Sequence, residues 1–234
     1  MGFRIDIEWI SKRYGEFTAL REVRTQFAAG ERISVLGHNG AGKTTLLELI
    51  ATLSRPNEGE IHYFEDDTVL KDKVSVRGNF TYLGHQPMLY PDLTALENLR
   101  FAARLYGCSE DKAHLMAGLA QVGMESEGDR LVRTCSRGMK QRIALARALL
   151  PQPRFLLLDE PFTGLDNEGV ARVVELLRDR SWIMVTHDLE LGFQLASRFW
   201  ILREGKLIHT PRKEDLTLED YLDLCRVPLK RKAS

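Results

Sequence analysis

The chain has 234 residues, of which 44% are hydrophobic and 28% are charged, and its formal net charge is zero. This length and composition are those of an ordinary globular domain that can bury a sizeable core. A zero net charge supplies no overall field to attract nucleic acid or an anionic membrane, so we expect no nucleic-acid partner.

Other sequence features favour a cytoplasmic chain without a membrane span. No apolar stretch approaches the roughly 18–20 residues needed to cross a bilayer, and the amino-terminal residues lack the apolar core of a signal peptide. The three cysteines are odd in number and lack metal-ligand spacing, which argues against a disulfide framework. The basic stretch Lys230-Arg231-Lys232 favours a solvated, frayed tail over the alternative, a membrane-surface contact. If the protein acts at a membrane, a partner must span it.

The first third of the chain carries strand patterns. Apolar and acidic residues alternate over residues 5–10, the period of a half-exposed strand. Residues 13–15 are predicted to form a turn, and residues 43–53 a helix. Further strands are predicted at residues 20–27, 33–36, 60–64 and 80–83.

Helical spacing replaces the strand patterns near Pro87. Thr94 and Glu97 form a capping-box pattern at the start of the first helix. Helices are predicted at residues 94–106, 109–122 and 136–150, after which two prolines end the block. The rest alternates between strands at 155–158, 182–185 and 199–202 and helices at 169–180 and from about 189.

The element order predicts one domain of the α/β class. The expected nucleotide-binding core covers about residues 1–86 and 151–210. A helical subdomain of about residues 87–150 interrupts it, and residues 211–234 form a short C-terminal tail.

A glycine-rich loop follows the predicted strand at 33–36. It matches the pattern Gly-x4-Gly-Lys-[Ser/Thr], with the residues Gly37, His38, Asn39, Gly40, Ala41, Gly42, Lys43, Thr44 and Thr45. The glycines let backbone N–H groups converge on an anion, and the following helix N-terminus adds positive partial charge. Lys43 would reach the β- and γ-phosphates, and the Thr44 hydroxyl would ligate Mg²⁺. The loop predicts a nucleoside triphosphate site.

Other candidate residues follow strand ends, where ligands bind in open α/β sheets. Asp159 and Glu160 follow the apolar run at 155–158. Asp159 suits Mg²⁺ through a water, and Glu160 is placed to polarise the attacking water. His187 is either structural or senses the phosphate, and its strand-end position favours the second role. The amide of Gln86 can bind Mg²⁺ or the attacking water without adding charge.

The order of these motifs resembles that of the ATP-binding subunits of ABC transporters, over nearly the whole chain. The family motifs are the aromatic loop (Tyr14), Walker A (37–45), the Q-loop (Gln86), the signature (136–142), Walker B (156–160), the D-loop (164–166) and the switch (His187). The resemblance implies an ABC ATPase fold, which has a P-loop NTPase (RecA-like) core, an antiparallel β-subdomain and an inserted α-helical subdomain. It also implies that the protein binds ATP and Mg²⁺. Tyr14 would then either stack on adenine or pack under the β-hairpin.

The signature departs from the common Leu-Ser-Gly-Gly-Gln, because Cys135-Ser136-Arg137-Gly138-Met139 stands in its place. At a helix start, the Ser136 hydroxyl and nearby N–H groups can bind a γ-phosphate, cap the helix, or do both. Arg137 either adds a cation near that phosphate or faces solvent.

The resemblance further implies a homodimer and a membrane partner. Such domains pair head to tail, with ATP between Walker A of one copy and the signature of the other. Ser136, Gly138 and Asp166 are therefore counted among the nucleotide-binding residues. ATP would join the copies and hydrolysis would release them, moving integral-membrane transporter subunits docked on the helical subdomain. The chain would lie on the cytoplasmic face of the cell membrane through those subunits.

Several local stretches resemble the heme-exporter ATP-binding subunit of cytochrome c maturation. They are residues 54–56, 83–87, 93–99, 160–163 and 169–172. Drug- and polysaccharide-exporter ATPases use similar Ser-Arg-Gly-Met signatures, so such an exporter is the alternative. A soluble ABC protein acting on nucleic acid or the ribosome, or a small P-loop kinase, is less favoured. The first usually has two fused domains or long coiled coils, and the second has no need for the signature, D-loop and switch together.

Overall fold

Ten β-strands form two sheets within residues 2–226, the part of the chain that the computed structural model describes. The strands are β1 (Phe3–Tyr14), β2 (Phe17–Ala28), β3 (Arg32–Leu36), β4 (Glu58–Glu65), β5 (Thr68–Val69), β6 (Phe80–Leu83), β7 (Phe155–Asp159), β8 (Ser181–Val185), β9 (Arg198–Arg203) and β10 (Lys206–His209). The basic stretch at 230–232 lies outside the described residues.

The larger sheet has the strand order β10-β9-β3-β8-β7-β6. All neighbouring strands from β9 to β6 are parallel, and β10 pairs antiparallel with β9 at the edge. Strand β7 is buried along its whole length because the sheet is covered on both faces. Its side chains alternate between two apolar clusters: Phe155 and Leu157 lie in one, Leu156 and Leu158 in the other.

The smaller sheet is antiparallel, in the order β2-β1-β4-β5, and packs on one face of the larger sheet. The predicted turn at 13–15 is wrong in its position, because β1 continues through Tyr14 and pairs there with Phe17. Gly15, with a φ of +57°, and Glu16 form a two-residue turn. A turn this tight lets both strands remain paired up to its ends.

Eight α-helices complete the fold of residues 2–226. They are α1 (Lys43–Ile50), α2 (Lys73–Arg77), α3 (Ala95–Tyr106), α4 (Lys112–Gln121), α5 (Arg137–Leu149), α6 (Asn167–Leu177), α7 (Leu189–Leu195) and α8 (Leu218–Arg226). The predicted capping box of α3 is confirmed, since Thr94 and Glu97 exchange side chain to backbone hydrogen bonds of 3.2 and 2.8 Å. Helix α4 begins later than predicted because the Asp111 carboxylate caps it.

Helices α3, α4 and α5 contact one another and share one apolar cluster with the larger sheet. The other cluster is formed by α1, the smaller sheet and the opposite face of the larger sheet. Each described helix is too short or too polar to cross a bilayer.

The segment predicted as a tail after residue 210 contains a packed helix within its described part. Tyr221 on α8 is fully buried. Its ring centroid lies 5.1 Å from that of Phe193 and 4.8 Å from that of Phe199. The prediction of a tail is therefore wrong for α8, because an apolar face at helical spacing, not recognised from the sequence, docks on the core.

We expect Tyr221→Ala to lower the free energy of unfolding by about 3–5 kcal/mol, because it removes a fully buried ring from an aromatic cluster. Chemical denaturation would measure the change. Tyr106→Ala is the matched control, since that ring is 48% exposed. Equal effects of the two substitutions would contradict the packing of α8.

Candidate nucleotide-binding site

The glycine-rich loop connects β3 to α1 and needs glycine at points of close backbone approach. Gly42 has a φ of +99°, and a Cβ there would lie 2.4 Å from the carbonyl oxygen of Ala19. A Cβ on Gly37 would lie 2.4 Å from the carbonyl oxygen of Leu202. The loop thus lies close against β2 of the smaller sheet and β9 of the larger sheet, and its residues 39, 40 and 42 line the cavity, which suits a phosphate cradle.

A cavity of about 340 Å³ opens over this loop. The carboxyl ends of β3, β7 and β8, which are neighbours in the sheet, meet at its floor. Its lining residues are Phe17, Ala19, Asn39, Gly40, Gly42, Lys43, Thr44, Thr45, His85, Asp159, Glu160, Val185 and His187. The structure therefore brings the predicted loop, the two carboxylates and His187 into one site.

A larger cleft of about 830 Å³ lies at the opposite, amino-terminal edge of the sheet. Its basic side chains are already engaged: Arg32 donates to the carbonyl of Arg178, and Lys213 to that of Gln194. These carbonyls lie at helix C-termini, whose negative partial charge such cations complement. We therefore assign the phosphate chemistry to the smaller cavity.

Lys43 is the buried cation of the site. Its Nζ donates hydrogen bonds to the carbonyl oxygens of Gly37 (2.7 Å) and His38 (3.1 Å). Burial lowers the pKa of Lys43, and the nearby carboxylates of Glu160 and Asp159 partly oppose that shift. An ammonium held at the inner end of a phosphate loop can contact the β- and γ-phosphates.

Thr44 and Asp159 present adjacent oxygen atoms. The Thr44 hydroxyl donates to Asp159 Oδ2 at 2.8 Å, and Asp159 is buried. A hydroxyl and a carboxylate are hard oxygen ligands, as Mg²⁺ requires. The described residues contain no cluster of three His, Cys, Asp or Glu side chains suited to a metal. These two residues therefore fit Mg²⁺ that takes its other ligands from phosphate and water.

Glu160 is held in a restrained geometry at the end of β7. It has a φ of +57°, a conformation that a residue with a Cβ keeps only where its surroundings impose it. Its N–H donates to the carbonyl of Val185 at 2.9 Å, and its carboxylate Oε2 accepts from the His187 N–H at 3.1 Å. The other oxygen, Oε1, is buried without a hydrogen bond among the described residues. It lies 3.4 Å from His187 Nε2.

Burial raises the pKa of Glu160, and the hydrogen bond from the His187 backbone partly opposes the shift. A carboxylate with a raised pKa, a free acceptor atom and a place in the cavity wall can accept a proton from water.

Several sequence-predicted residues lie outside the cavity wall: Gly37, His38 and Ala41 of the loop itself, and Tyr14 and Gln86 from other segments. Tyr14 does not line it; its ring lies under the Lys12 ammonium, with Nζ 5.1 Å from the centroid, and its strand partner Phe17 lines the cavity instead. Gln86 is exposed, and the preceding residue, His85, lines the cavity. The position of Phe17 in the cavity wall could have been predicted from the two-residue turn. The position of His85 could not, because its sequence signal does not differ from that of Gln86.

The signature residues Ser136 and Gly138 and the D-loop residue Asp166 also lie outside their own chain's cavity. Ser136 is the N-cap of α5 and accepts from the Met139 N–H at 3.2 Å, so its capping role is confirmed. Its side chain is exposed. Asp166 is the N-cap of α6, and the Gly169 N–H that it accepts at 2.9 Å lowers its pKa. The exposed Ser136 hydroxyl remains accessible to a ligand outside this chain.

Comparisons with known proteins agree with this geometry. The ABC transporter family model matches residues 20–163. The sulfate/thiosulfate import ATP-binding protein CysA of Pectobacterium atrosepticum is 35% identical over 227 residues, covering 88% of this chain and 66% of that protein. The daunorubicin resistance ATP-binding protein DrrA3 of Streptomyces coeruleorubidus is 34% identical over 233 residues, covering 97% and 73%.

Among solved structures, the dimeric bacterial ABC transporter cassette MJ0796 superposes with a TM-score of 0.80 at 26% identity, over 89% of this chain and 98% of that one. The same cassette bound to ADP and Pi, in a post-hydrolysis state, superposes with a TM-score of 0.79. The match covers only 63–66% of the length of three of the CysA proteins that resemble the chain. Its sequence, its fold and the residues that line its cavity agree: the chain belongs to the ABC transporter family and has the ATP-binding cassette fold.

Proposed function

We propose that this chain is the ATP-hydrolysing motor subunit of an ABC transporter. The observation that carries the proposal is the convergence of Lys43, the Thr44–Asp159 pair and the Glu160–His187 pair in one cavity. These groups match the parts that phosphoryl transfer from a nucleoside triphosphate needs: a phosphate cradle, oxygen ligands for Mg²⁺, and a base beside the attacking water.

The proposed reaction is hydrolysis of ATP to ADP and phosphate. The loop N–H groups and Lys43 hold the β- and γ-phosphates. Bound Mg²⁺, ligated by Thr44 and through a water by Asp159, would neutralise phosphate charge. Glu160 orients a water and takes its proton as the water oxygen bonds to the γ-phosphorus and the bond to the ADP oxygen breaks. His187 fixes the Glu160 carboxylate through its backbone N–H and presents its ring to the same cavity.

We propose that two copies complete each ATP site. Ser136 is exposed and does not line its own chain's cavity, although the N-terminus of α5 has the N–H groups that bind phosphate. A head-to-tail homodimer would place Ser136 and Gly138 of one copy against the nucleotide of the other, with Asp166 at the interface. The solved dimer of the MJ0796 cassette supports this arrangement.

An exposed apolar surface supports a membrane partner. Met88 and Leu105 are each 70% exposed, and Tyr90 packs edge-on against Phe101 at 4.9 Å between ring centroids. Arg147 on α5 donates to the carbonyl of Met88, which joins this surface to the signature helix. An exposed apolar surface beside α5, the helix whose N-terminus would contact ATP, is a suitable docking surface for an integral-membrane transporter subunit. The chain would then be peripheral on the cytoplasmic face of the cell membrane.

The finer proposal is export of heme for cytochrome c maturation. It rests on the local sequence stretches at residues 54–56, 83–87, 93–99, 160–163 and 169–172. Export of a drug-like molecule is the second candidate, which the similarity to the daunorubicin resistance protein DrrA3 over 97% of this chain favours. In both cases the transported molecule would pass through the membrane subunit.

We expect Glu160→Gln to lower ATP turnover by about a hundredfold or more, with little change in ATP binding. An amide cannot take the proton of the attacking water, yet its oxygen can still accept from the His187 N–H. Release of phosphate and the binding of a fluorescent ATP analogue would be measured together. Lys43→Ala is the matched contrast, because it removes a charge-assisted phosphate contact and should weaken binding itself. Turnover at the wild-type rate in Glu160→Gln would exclude Glu160 as the base.

The raised pKa of Glu160 predicts a pH-dependent difference in stability. Since the folded-state pKa is raised, the carboxyl favours folding below its unfolded pKa, and this contribution is lost as the pH rises through the folded pKa. Glu160→Gln should therefore raise Tm relative to the wild type at pH 8, and the gain should shrink as the pH falls toward 4.5, the ordinary value for glutamic acid. Thermal unfolding of both proteins across this range measures it; a constant difference would contradict it.

The membrane partner can be captured with the closed dimer. Tagged Glu160→Gln protein with ATP and Mg²⁺ would be purified from gently solubilised native membranes, and retained proteins would be identified by mass. We expect a multi-spanning membrane subunit among the retained proteins. The Lys43→Ala protein is the control, because it should not bind ATP well enough to form the closed dimer. Co-purifying heme-handling proteins would support heme export, whereas a different exporter subunit would favour the drug-like class. A chain that is active without any retained membrane protein would overturn the transport proposal.

A further inference from the structure

Gln141 is a buried amide that the reaction described above does not use. It lies on α5, five positions after Ser136, and is only 4% exposed. Its Nε2 donates to the carbonyl oxygens of Glu160 (3.3 Å) and Pro161 (3.2 Å). Both acceptors are backbone carbonyls, so the amide must present its NH₂ group to them. The signature helix is thus hydrogen-bonded to the backbone that carries Glu160.

This contact completes the restraint on Glu160. The N–H of Glu160 is held by Val185 on β8, and its carboxylate by the N–H of His187. Its carbonyl oxygen accepts from the Thr163 N–H at 3.3 Å, within the same turn, and from the Gln141 side chain of α5, which restrains it from a separate element. Because the φ of +57° at Glu160 persists only under external restraint, a change at Gln141 would alter the backbone that aims the carboxylate.

Two neighbouring contacts hold α5 against the segment after β7. A Cβ on Gly138, in the first turn of α5, would lie 2.4 Å from the carbonyl oxygen of Gly164. One turn later, the Arg142 guanidinium is ion-paired with Asp166. Gln141 lies between these contacts and is the member of the set that touches the Glu160 backbone.

We propose that Gln141 is a positioning residue through which the signature end of α5 sets the geometry of Glu160 in the same chain. The proposal rests on the proposed function. In a head-to-tail dimer, Ser136 of a chain serves one ATP site and Glu160 of that chain serves the other. The Gln141 bonds therefore connect the two sites: phosphate binding at Ser136 stabilises the position of α5 that aligns Glu160 in the second site.

The test uses Gln141→Met, which keeps the length of the side chain and removes the hydrogen-bond donor. We expect kcat to fall about tenfold or more, while KM and the dissociation constant for a fluorescent ATP analogue change less than about twofold. Gln121→Met, at the exposed end of α4, is the matched control and should behave as the wild type. An unchanged kcat in Gln141→Met would overturn the proposal.

A double-mutant cycle with Ser136→Ala separates positioning from simple structural support. If Gln141 transmits the effect of Ser136, the double variant should lose little more kcat than the worse single variant. Additive losses in ln kcat, or losses that only track a lowered Tm, would overturn the proposal.

Gln141→Glu provides a second test if the methionine variant does not fold. An ionised carboxylate facing two carbonyls cannot donate, but the protonated acid donates one hydrogen bond. The ratio of variant to wild-type kcat should therefore rise as the pH falls, and a ratio independent of pH would overturn the proposal.

Absence of ATP hydrolysis in both the wild type and Gln121→Met would instead contradict the proposed function.

Discussion

The site depends on the register of three neighbouring parallel strands. Strand β8 pairs on one side with β3, where Val35 lies opposite Val185, and on the other with β7, where Asp159 lies opposite Val185. The phosphate loop, the two carboxylates and His187 therefore leave the sheet side by side. A slip of one residue would turn every side chain of the strand to the other face. Hydrogen bonding in the sheet thus fixes the relative positions of these side chains.

Electrostatics at this edge of the sheet favours a polyphosphate with its metal. Burial disfavours the charged form of both Lys43 and Glu160, so the pKa of the first falls and that of the second rises. The charge of Lys43 opposes the rise in the pKa of Glu160, and the charge of Glu160 opposes the fall in the pKa of Lys43. Hydrogen bonds from Thr44 and His187 hold the carboxylates of Asp159 and Glu160. A polyphosphate bound with its cation would neutralise both charges at once, because the phosphate contacts the ammonium of Lys43 and the cation contacts the carboxylate of Asp159.

Local patterns in the sequence predict the parts of this fold that depend on local chemistry. The apolar run of β7, the glycine loop and the capping box at Thr94 were all recognisable because each is specified within a few residues. Long-range pairing decides the rest. The Tyr14–Phe17 pairing puts Phe17, not Tyr14, in the cavity wall. Part of the predicted tail is instead a packed helix, because Tyr221 docks on Phe199. No periodicity reveals which of two adjacent residues, His85 or Gln86, lines a cavity.

The same limit explains why Gln141 could not be assigned from sequence. A glutamine in the second turn of a polar helix is ordinarily solvated, and only packing of α5 against the end of β7 buries it. A buried amide without its partners would be destabilising, so its retention there requires the carbonyls of Glu160 and Pro161 to stay in place. The restraint acts in both directions: the segment that carries the proposed base, Glu160, fixes the signature helix, and the helix fixes the backbone of Glu160. A helix whose exposed N-cap is Ser136 is therefore mechanically part of the site built on β7.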